Sequence, residues 1–312
     1  MSDIAKQALA FWGLQDAPLR LIAARENQVF RVVYGNAAYA LRLHRPGYRT
    51  DAELRSELQW MGAVDAGGLH VPTPIAGLSG DYLHRVDGVQ IDLLSWLSGA
   101  PIGETGAALD HADPPALFQA LGREMARLHT VSDAWTLPPG FTRCAWDQAA
   151  LLGNDPIWGR FWENPSLTQS QVELLQVVRA KASARLATTS STLDYGLIHA
   201  DLVRENVMQD GGRLQLIDFD DSGFGYRLFD IATTLLKNLS EPGYDELKTA
   251  LLDGYRSVRP INTTDLDLFL LLRALTYVGW IVPRMNEDGS DIRNRRFIET
   301  ATRLAQNYLT TP

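Results

Sequence analysis

Cysteine occurs once in 312 residues, at Cys144. That excludes an internal disulfide and any zinc site built on cysteines, and a lone thiol here reads as a small packed side chain. Lysine is missing from residue 7 to residue 180, so no ammonium is on offer across more than half of the chain. No G-x-x-x-x-G-K-[ST] occurs, which closes the P-loop route to a nucleotide. No G-x-G-x-x-G lies between Arg25 and Arg31. The most apolar stretch, residues 266–282, carries Asp267 and Arg273. Charges at bilayer depth cost roughly 2.5–3.5 kcal/mol each, so the stretch reads as a buried helix rather than a membrane span. Residues 1–15 read as an amphipathic helix with neither a basic n-region nor a cleavage-site pattern. The protein is expected in the cytoplasm, away from membranes.

Positive charge is also in short supply: 29 Lys and Arg against 37 Asp and Glu give a formal net charge of −8. Such a surface repels nucleic acid and anionic lipid, and suits a cationic or neutral small molecule better. Apolar residues at 46% and charged residues at 21% describe an ordinary globular protein. The length suffices for two lobes with cores of their own.

Up to about residue 96 the pattern is strand-rich. Residues 29–34 and 39–44 flank Gly35-Asn36, a hairpin signal, and residues 81–86 and 89–94 meet at Asp87-Gly88. Between the hairpins, residues 50–64 read as a helix capped by Thr50 or Asp51, with Leu54, Leu58 and Met61 at helical spacing. Beyond Pro101 helices dominate: one from Asp113-Pro114, one over residues 168–187, and more after residue 240. Trp135, Trp146, Trp158 and Trp162 fall in an irregular segment between the first two, where they read as anchors with a substrate-facing role open. The expected organisation is an N-lobe over residues 1–96 and a larger, mainly helical C-lobe over residues 97–312.

The chemistry concentrates between Tyr195 and Asp230. A short apolar run ends in His199-Ala200-Asp201, and Asn206 follows. Two short strands around Asp210-Gly211-Gly212 then lead to Asp218-Phe219-Asp220. Phosphoryl transfer needs a carboxylate for the attacking hydroxyl and hard oxygen ligands for magnesium. Asp201, Asn206 and Asp218 supply them in the order of the pattern H-x-D-x-x-x-x-N followed by a D-F-G-like turn. The hairpin explains how residues twelve positions apart converge on one metal. His199 reads as a loop-bonding residue or a member of the catalytic group, and Asp220 as a further metal ligand or a loop carboxylate.

His199-Ala200-Asp201-Leu202 through Asn206, then Ile217-Asp218-Phe219-Asp220-Asp221, then Phe229-Asp230-Ile231-Ala232 resembles the aminoglycoside phosphotransferase superfamily. The similarity is nearest to its stress-response kinase and type II homoserine kinase group, with choline kinases more distant. It extends from about Asn27 into the C-terminal helices. The resemblance implies an α+β, protein-kinase-like bilobal fold that transfers the γ-phosphate of ATP to a hydroxyl with Mg²⁺. It implies Asp201 as base, Asn206 and Asp218 as metal ligands, and Asp230 as a brace for the catalytic loop.

On the nucleotide side, Glu26-Asn27-Gln28 resembles the family's shortened loop, with Asn27 near phosphate. The strand lysine of protein kinases is replaced by Arg42, whose expected helix partner is Glu57 rather than Glu53. Arg273, Tyr277, Trp280 and Arg284 lie at helical spacing, and Arg273 and Arg284 are candidates for meeting a substrate carboxylate. No A-P-E element follows Asp218, which favours a small acceptor of amino-acid, amino-alcohol, sugar or aminoglycoside type. The alternatives are a Ser/Thr protein kinase and a silent nucleotide-binding pseudokinase.

Overall fold

The computed structural model describes residues 2–24 and 27–310. The described chain is α+β and divides into two compact units.

The first unit combines residues 1–102, 130–144 and 205–220. Its main element is a five-stranded antiparallel sheet. Gln28–Tyr34 and Ala37–Leu43 pair through the Gly35 turn, and His84–Val86 and Val89–Ser95 through Asp87-Gly88. Both residues of that second turn have positive φ (49° and 81°), the backbone that a two-residue hairpin with right-handed strand twist requires. The helix Asp51–Ala66 starts where Thr50 accepts from the Glu53 N–H and Glu53 accepts from the Thr50 N–H, a reciprocal cap.

The strand expected over residues 81–86 covers only His84–Val86, and other features of this unit also differ from the sequence reading. The strand Leu19–Ala24 adds an outer edge, pairing with Gln28–Tyr34 through a bulge after Leu21. Its residues are almost all exposed, so the in–out alternation that marks a half-buried strand is absent. The N-terminal helix is also shorter than residues 1–15. Ser2–Ala8 continues as a tighter turn over Leu9–Trp12 and stops at Gly13, whose φ is 68°. Ala5, Ala8, Leu9 and Trp12 bury against Phe30, Leu41 and Ile91 of the sheet. A small second sheet joins Ala100–Pro101 to the hairpin Val207–Asp210 and Arg213–Leu216.

The second unit combines residues 103–129, 145–204 and 221–312. A short sheet orders Ala145–Trp146, Gly223–Tyr226 and Tyr195–Ile198. Around it stand helices, including Gln169–Thr189, Arg227–Leu236, Tyr244–Arg256, Leu266–Trp280 and Ser290–Thr310. The apolar run read as a buried helix is Leu266–Trp280, with nearly every residue buried. Among the described residues no helix is long and apolar enough to cross a membrane. Helix crossings are tight where glycine permits: a Cβ on Gly122 would sit 2.0 Å from the Leu251 carbonyl, and one on Gly254 2.0 Å from that of Gln119.

Candidate active site

The second unit holds Asp201 on a braced loop. The strand Tyr195–Ile198 delivers the chain to His199-Ala200-Asp201, where Ala200 takes a φ of 65°. A non-glycine residue in that region needs outside support. Asp230 supplies it from the first turn of Arg227–Leu236. Its two carboxylate oxygens accept from the His199 N–H (2.9 Å) and the Ala200 N–H (2.6 Å).

Behind Asp230 stands His129, a residue the sequence reading did not single out. His129 Nε2 donates to Asp230 Oδ2 (2.9 Å), and its Nδ1 accepts from the Tyr255 hydroxyl (2.8 Å). Burial, with help from the Arg227 guanidinium, holds the His129 imidazole down at about 4, so it is neutral at pH 7. Burial pushes the Asp230 carboxyl up, but the bonds from His129 and the loop backbone outweigh it and leave the carboxyl below its usual range. His199 is itself sealed, and its Nδ1 accepts from the Asp201 N–H at 3.3 Å. That is a bond across the loop.

Asp201 remains 26% exposed at its side chain, and its Oδ1 accepts from Arg273 Nη2 at 2.7 Å. The same Nη2 donates to the Tyr277 hydroxyl (2.9 Å). Burial pushes that hydroxyl's pKa upward, so Tyr277 stays a neutral phenol. The structure thus joins Arg273 and Tyr277 to Asp201. Arg284 is turned elsewhere: its Nη1 donates to the Trp280 carbonyl (2.9 Å) and its guanidinium lies 4.2 Å from the Trp280 ring centre.

Asn206 and Asp218 belong to the first unit, at the two ends of the hairpin. The Asn206 carbonyl accepts from the Ile217 N–H (3.0 Å), which ties the backbone at Asn206 to the residue before Asp218. The second strand ends at Leu216, two residues earlier than its sequence pattern suggests, because Asp218 turns into the left-handed region at φ 67°. Aspartate tolerates that conformation better than most residues. Phe219 anchors the turn, buried edge-on against Trp60 with ring centres 5.2 Å apart. Arg143 donates to the carbonyls of Phe219 (3.0 Å) and Asp220 (2.7 Å).

Asp220 is buried, and its Oδ1 has no hydrogen-bond partner. Burial and the nearby Glu57 push its carboxyl upward. A buried carboxylate oxygen left alone is costly unless something binds it. Like the amide of Asn206 and the carboxylate of Asp218, it offers a hard oxygen of the kind magnesium takes. Among the described residues no three His, Cys, Asp or Glu side chains gather as a metal site. Magnesium needs no such cage, since it keeps waters and substrate oxygens in its shell. The residues present fit it.

Arg42 sits directly across the sheet from Asp92 in the strand register. Its Nε and Nη2 grip the two Asp92 oxygens at 2.8 Å each, and Nη1 reaches Glu57 Oε1 at 2.8 Å. Glu57, wholly buried, also accepts from Arg143 (3.2 Å), and His44 Nε2 lies 2.7 Å from Asp92. Burial works against the charge on Arg42, but Asp92 and Glu57 more than compensate and raise its pKa. The helix glutamate that meets Arg42 is therefore Glu57, while Glu53 serves the cap. Asp92, His44 and Arg143 escaped the sequence reading. A lone aspartate inside the apolar run Val89–Ser95 was the available signal. Asn27 Oδ1 accepts from the Arg45 N–H (3.1 Å), and Glu26 lies outside the described residues.

A family model described as the phosphotransferase enzyme family matches residues 18–262. The chain belongs to this family. It is 27% identical to the amicoumacin kinase of Bacillus subtilis over 293 residues, 89% of this chain and 83% of that one. It is 28% identical to the homoserine kinase of Methylobacillus glycogenes over 242 residues, 76% and 69% of the two chains. The solved structure of a microcompartment-associated aminopropanol kinase matches it with a TM-score of 0.87 at 30% identity, covering 99% of this chain and 98% of that one. An amicoumacin kinase solved with AMP-PNP, Ca²⁺ and amicoumacin shares the fold at 20% identity and a TM-score of 0.76, over 97% and 93% of the chains. This phosphotransferase is accordingly a small-molecule kinase with the α+β fold of those enzymes.

Proposed function

We propose that this phosphotransferase moves the γ-phosphate of ATP to the hydroxyl of a small amino alcohol that carries no carboxylate. The observation that carries the reading is Asp201 held at the tip of a loop whose strained backbone Asp230 fixes with two hydrogen bonds. A kinase base must be positioned, and a silent binder needs no such loop. Two findings favour the amino-alcohol class. The aminopropanol kinase matches nearly the full length. Arg273, the buried cation beside Asp201, is already committed to Asp201 and Tyr277.

In this reading Asp201 accepts a hydrogen bond from the acceptor hydroxyl and takes its proton as the oxygen attacks. The new bond forms between that oxygen and the γ-phosphorus, the bond to the bridging oxygen breaks, and ADP leaves. Asn206 and Asp218 would hold magnesium, with Asp220 as a further carboxylate. Bound there, the ion neutralises charge on the phosphate oxygens. Arg42, locked to Glu57 and Asp92, keeps the sheet rigid on the nucleotide side, where Asn27 shapes the loop.

The test is acceptor-dependent ADP release with Mg²⁺, comparing 1-amino-2-propanol, homoserine, choline, sugars and an aminoglycoside. Release with the amino alcohol, absent in Asp201→Ala, supports the reading. Release only with homoserine overturns the acceptor class. No release alongside clear MgATP binding favours a nucleotide binder.

A further inference from the structure

Arg273 is wholly buried, yet the hydrogen bonds of its guanidinium are incomplete. Nη2 makes both of the bonds described above, to Asp201 and to Tyr277. Nε and Nη1 are shut off from solvent and have no hydrogen-bond partner. Aromatic faces surround the cation instead. Its central carbon lies 4.6 Å from the Trp158 ring centre, 4.5 Å from Tyr277 and 5.3 Å from Phe229. All three fall within the roughly 6 Å over which a ring's negative face attracts a cation.

The cage is built by the backbone as well. A Cβ on Gly279 would lie 2.5 Å from the Trp158 carbonyl and 2.6 Å from that of Gly159, so only glycine lets that segment settle on the helix. Trp146 then wedges in, edge-on to Trp158 and stacked on Phe229 with ring centres 5.2 and 5.3 Å away.

A buried charge with unsatisfied donors is a poor way to stabilise a fold, since apolar replacements of such groups are often neutral or better. The sealed Nε and Nη1 also leave no face for a substrate carboxylate. What remains is the bond to Asp201. We propose that Arg273 is a positioning residue for phosphoryl transfer: fixed in its aromatic cage, it holds Asp201 Oδ1 so that the carboxylate meets the acceptor hydroxyl in one orientation. This rests on Asp201 being the base. An arginine suits the task because its planar fork, clamped between rings, cannot swing as a lysine would.

The test measures kcat and KM for Arg273→Met and Arg273→Lys, with melting temperature beside them. Turnover is read on 1-amino-2-propanol and, in parallel, as MgATP hydrolysis without acceptor, so a wrong acceptor leaves the test standing. Arg273→Met should lose about 100-fold in kcat, the scale expected when a reacting group is misplaced by about 1 Å. KM for MgATP should stay within about twofold and the melting temperature should not fall, while Arg273→Lys recovers part of the rate. In an Asp201→Asn background, Arg273→Met should cost nothing more, because the two act as a unit. Unchanged kcat in Arg273→Met, or a loss confined to the acceptor KM, overturns the proposal. If Arg273→Met does not fold, a variant of the cage wall decides. Trp158→Leu removes one ring face of the cage while leaving Arg273 and Asp201 in place, and wild-type kcat in Trp158→Leu would contradict the proposal. Full turnover in Asp201→Asn would instead sink the base assignment itself.

Discussion

Arg42 and Asp92 face each other across two adjacent strands and close two 2.8 Å hydrogen bonds between their planar ends. This bidentate grip takes up the fork that a strand lysine would not possess. Removing Asp92 leaves Nε and Nη2 of the buried Arg42 without their partner, with Glu57 alone to meet the charge. Asp92→Asn should therefore destabilise the fold by about 3–5 kcal/mol, with little dependence on salt. Denaturant unfolding in low and high salt checks this. A change under about 1 kcal/mol would mean that Glu57 alone satisfies Arg42.

His129 gives the fold an acid limit. Unfolded, its imidazole titrates near 6.5, and folded it is held at about 4. Between those values the unfolded chain binds more protons, so stability falls as pH drops through that window. The loss has a ceiling of about 3 kcal/mol. Asp230, held below its usual range, adds a further loss as pH falls lower still. His129→Gln should be less stable at pH 7 but flatter between pH 6.5 and 4. Parallel slopes for the two proteins would place the acid limit elsewhere.

Most of what positions the chemistry was legible in the sequence, because turns and motifs are local. Asp87-Gly88, the helix start at Thr50 or Asp51, and the run from His199 to Asp230 each announce themselves within a few residues. The rest depends on partners far apart. Asp92 meets Arg42 across 50 positions, and His129 meets Asp230 across 101. Arg273 reaches Asp201 across 72. Neither local propensity nor spacing can show which cation a buried carboxylate will find. The edge strand Leu19–Ala24 was missed for another reason: an exposed edge leaves no alternation to read.

Gly122 tests the packing of the second unit. Alanine ordinarily improves a helix interior by about 1 kcal/mol over glycine. Here its Cβ would lie 2.0 Å from the Leu251 carbonyl, so the helices must separate. Overpacking of this kind costs about 1–3 kcal/mol or more, and the net effect of Gly122→Ala should be a lower melting temperature. A rise would show that the helices part freely.

The acceptor class makes its own prediction. With Arg273 committed to Asp201, a substrate carboxylate gains nothing from it. The kcat/KM for 1-amino-2-propanol should exceed that for homoserine by about tenfold or more, a difference of about 1.4 kcal/mol in transition-state binding. Equal values would show that another cation reads the carboxylate.

The most direct test of the account compares MgATP binding and turnover in Asp201→Asn and Asp218→Ala. Asp201→Asn should bind MgATP within a few-fold of wild type while kcat falls by about 10²–10⁴. Asp218→Ala should lose both, and its nucleotide affinity should respond only weakly to Mg²⁺. Full turnover in Asp201→Asn, or undiminished magnesium-dependent binding in Asp218→Ala, would contradict the roles assigned to these two aspartates.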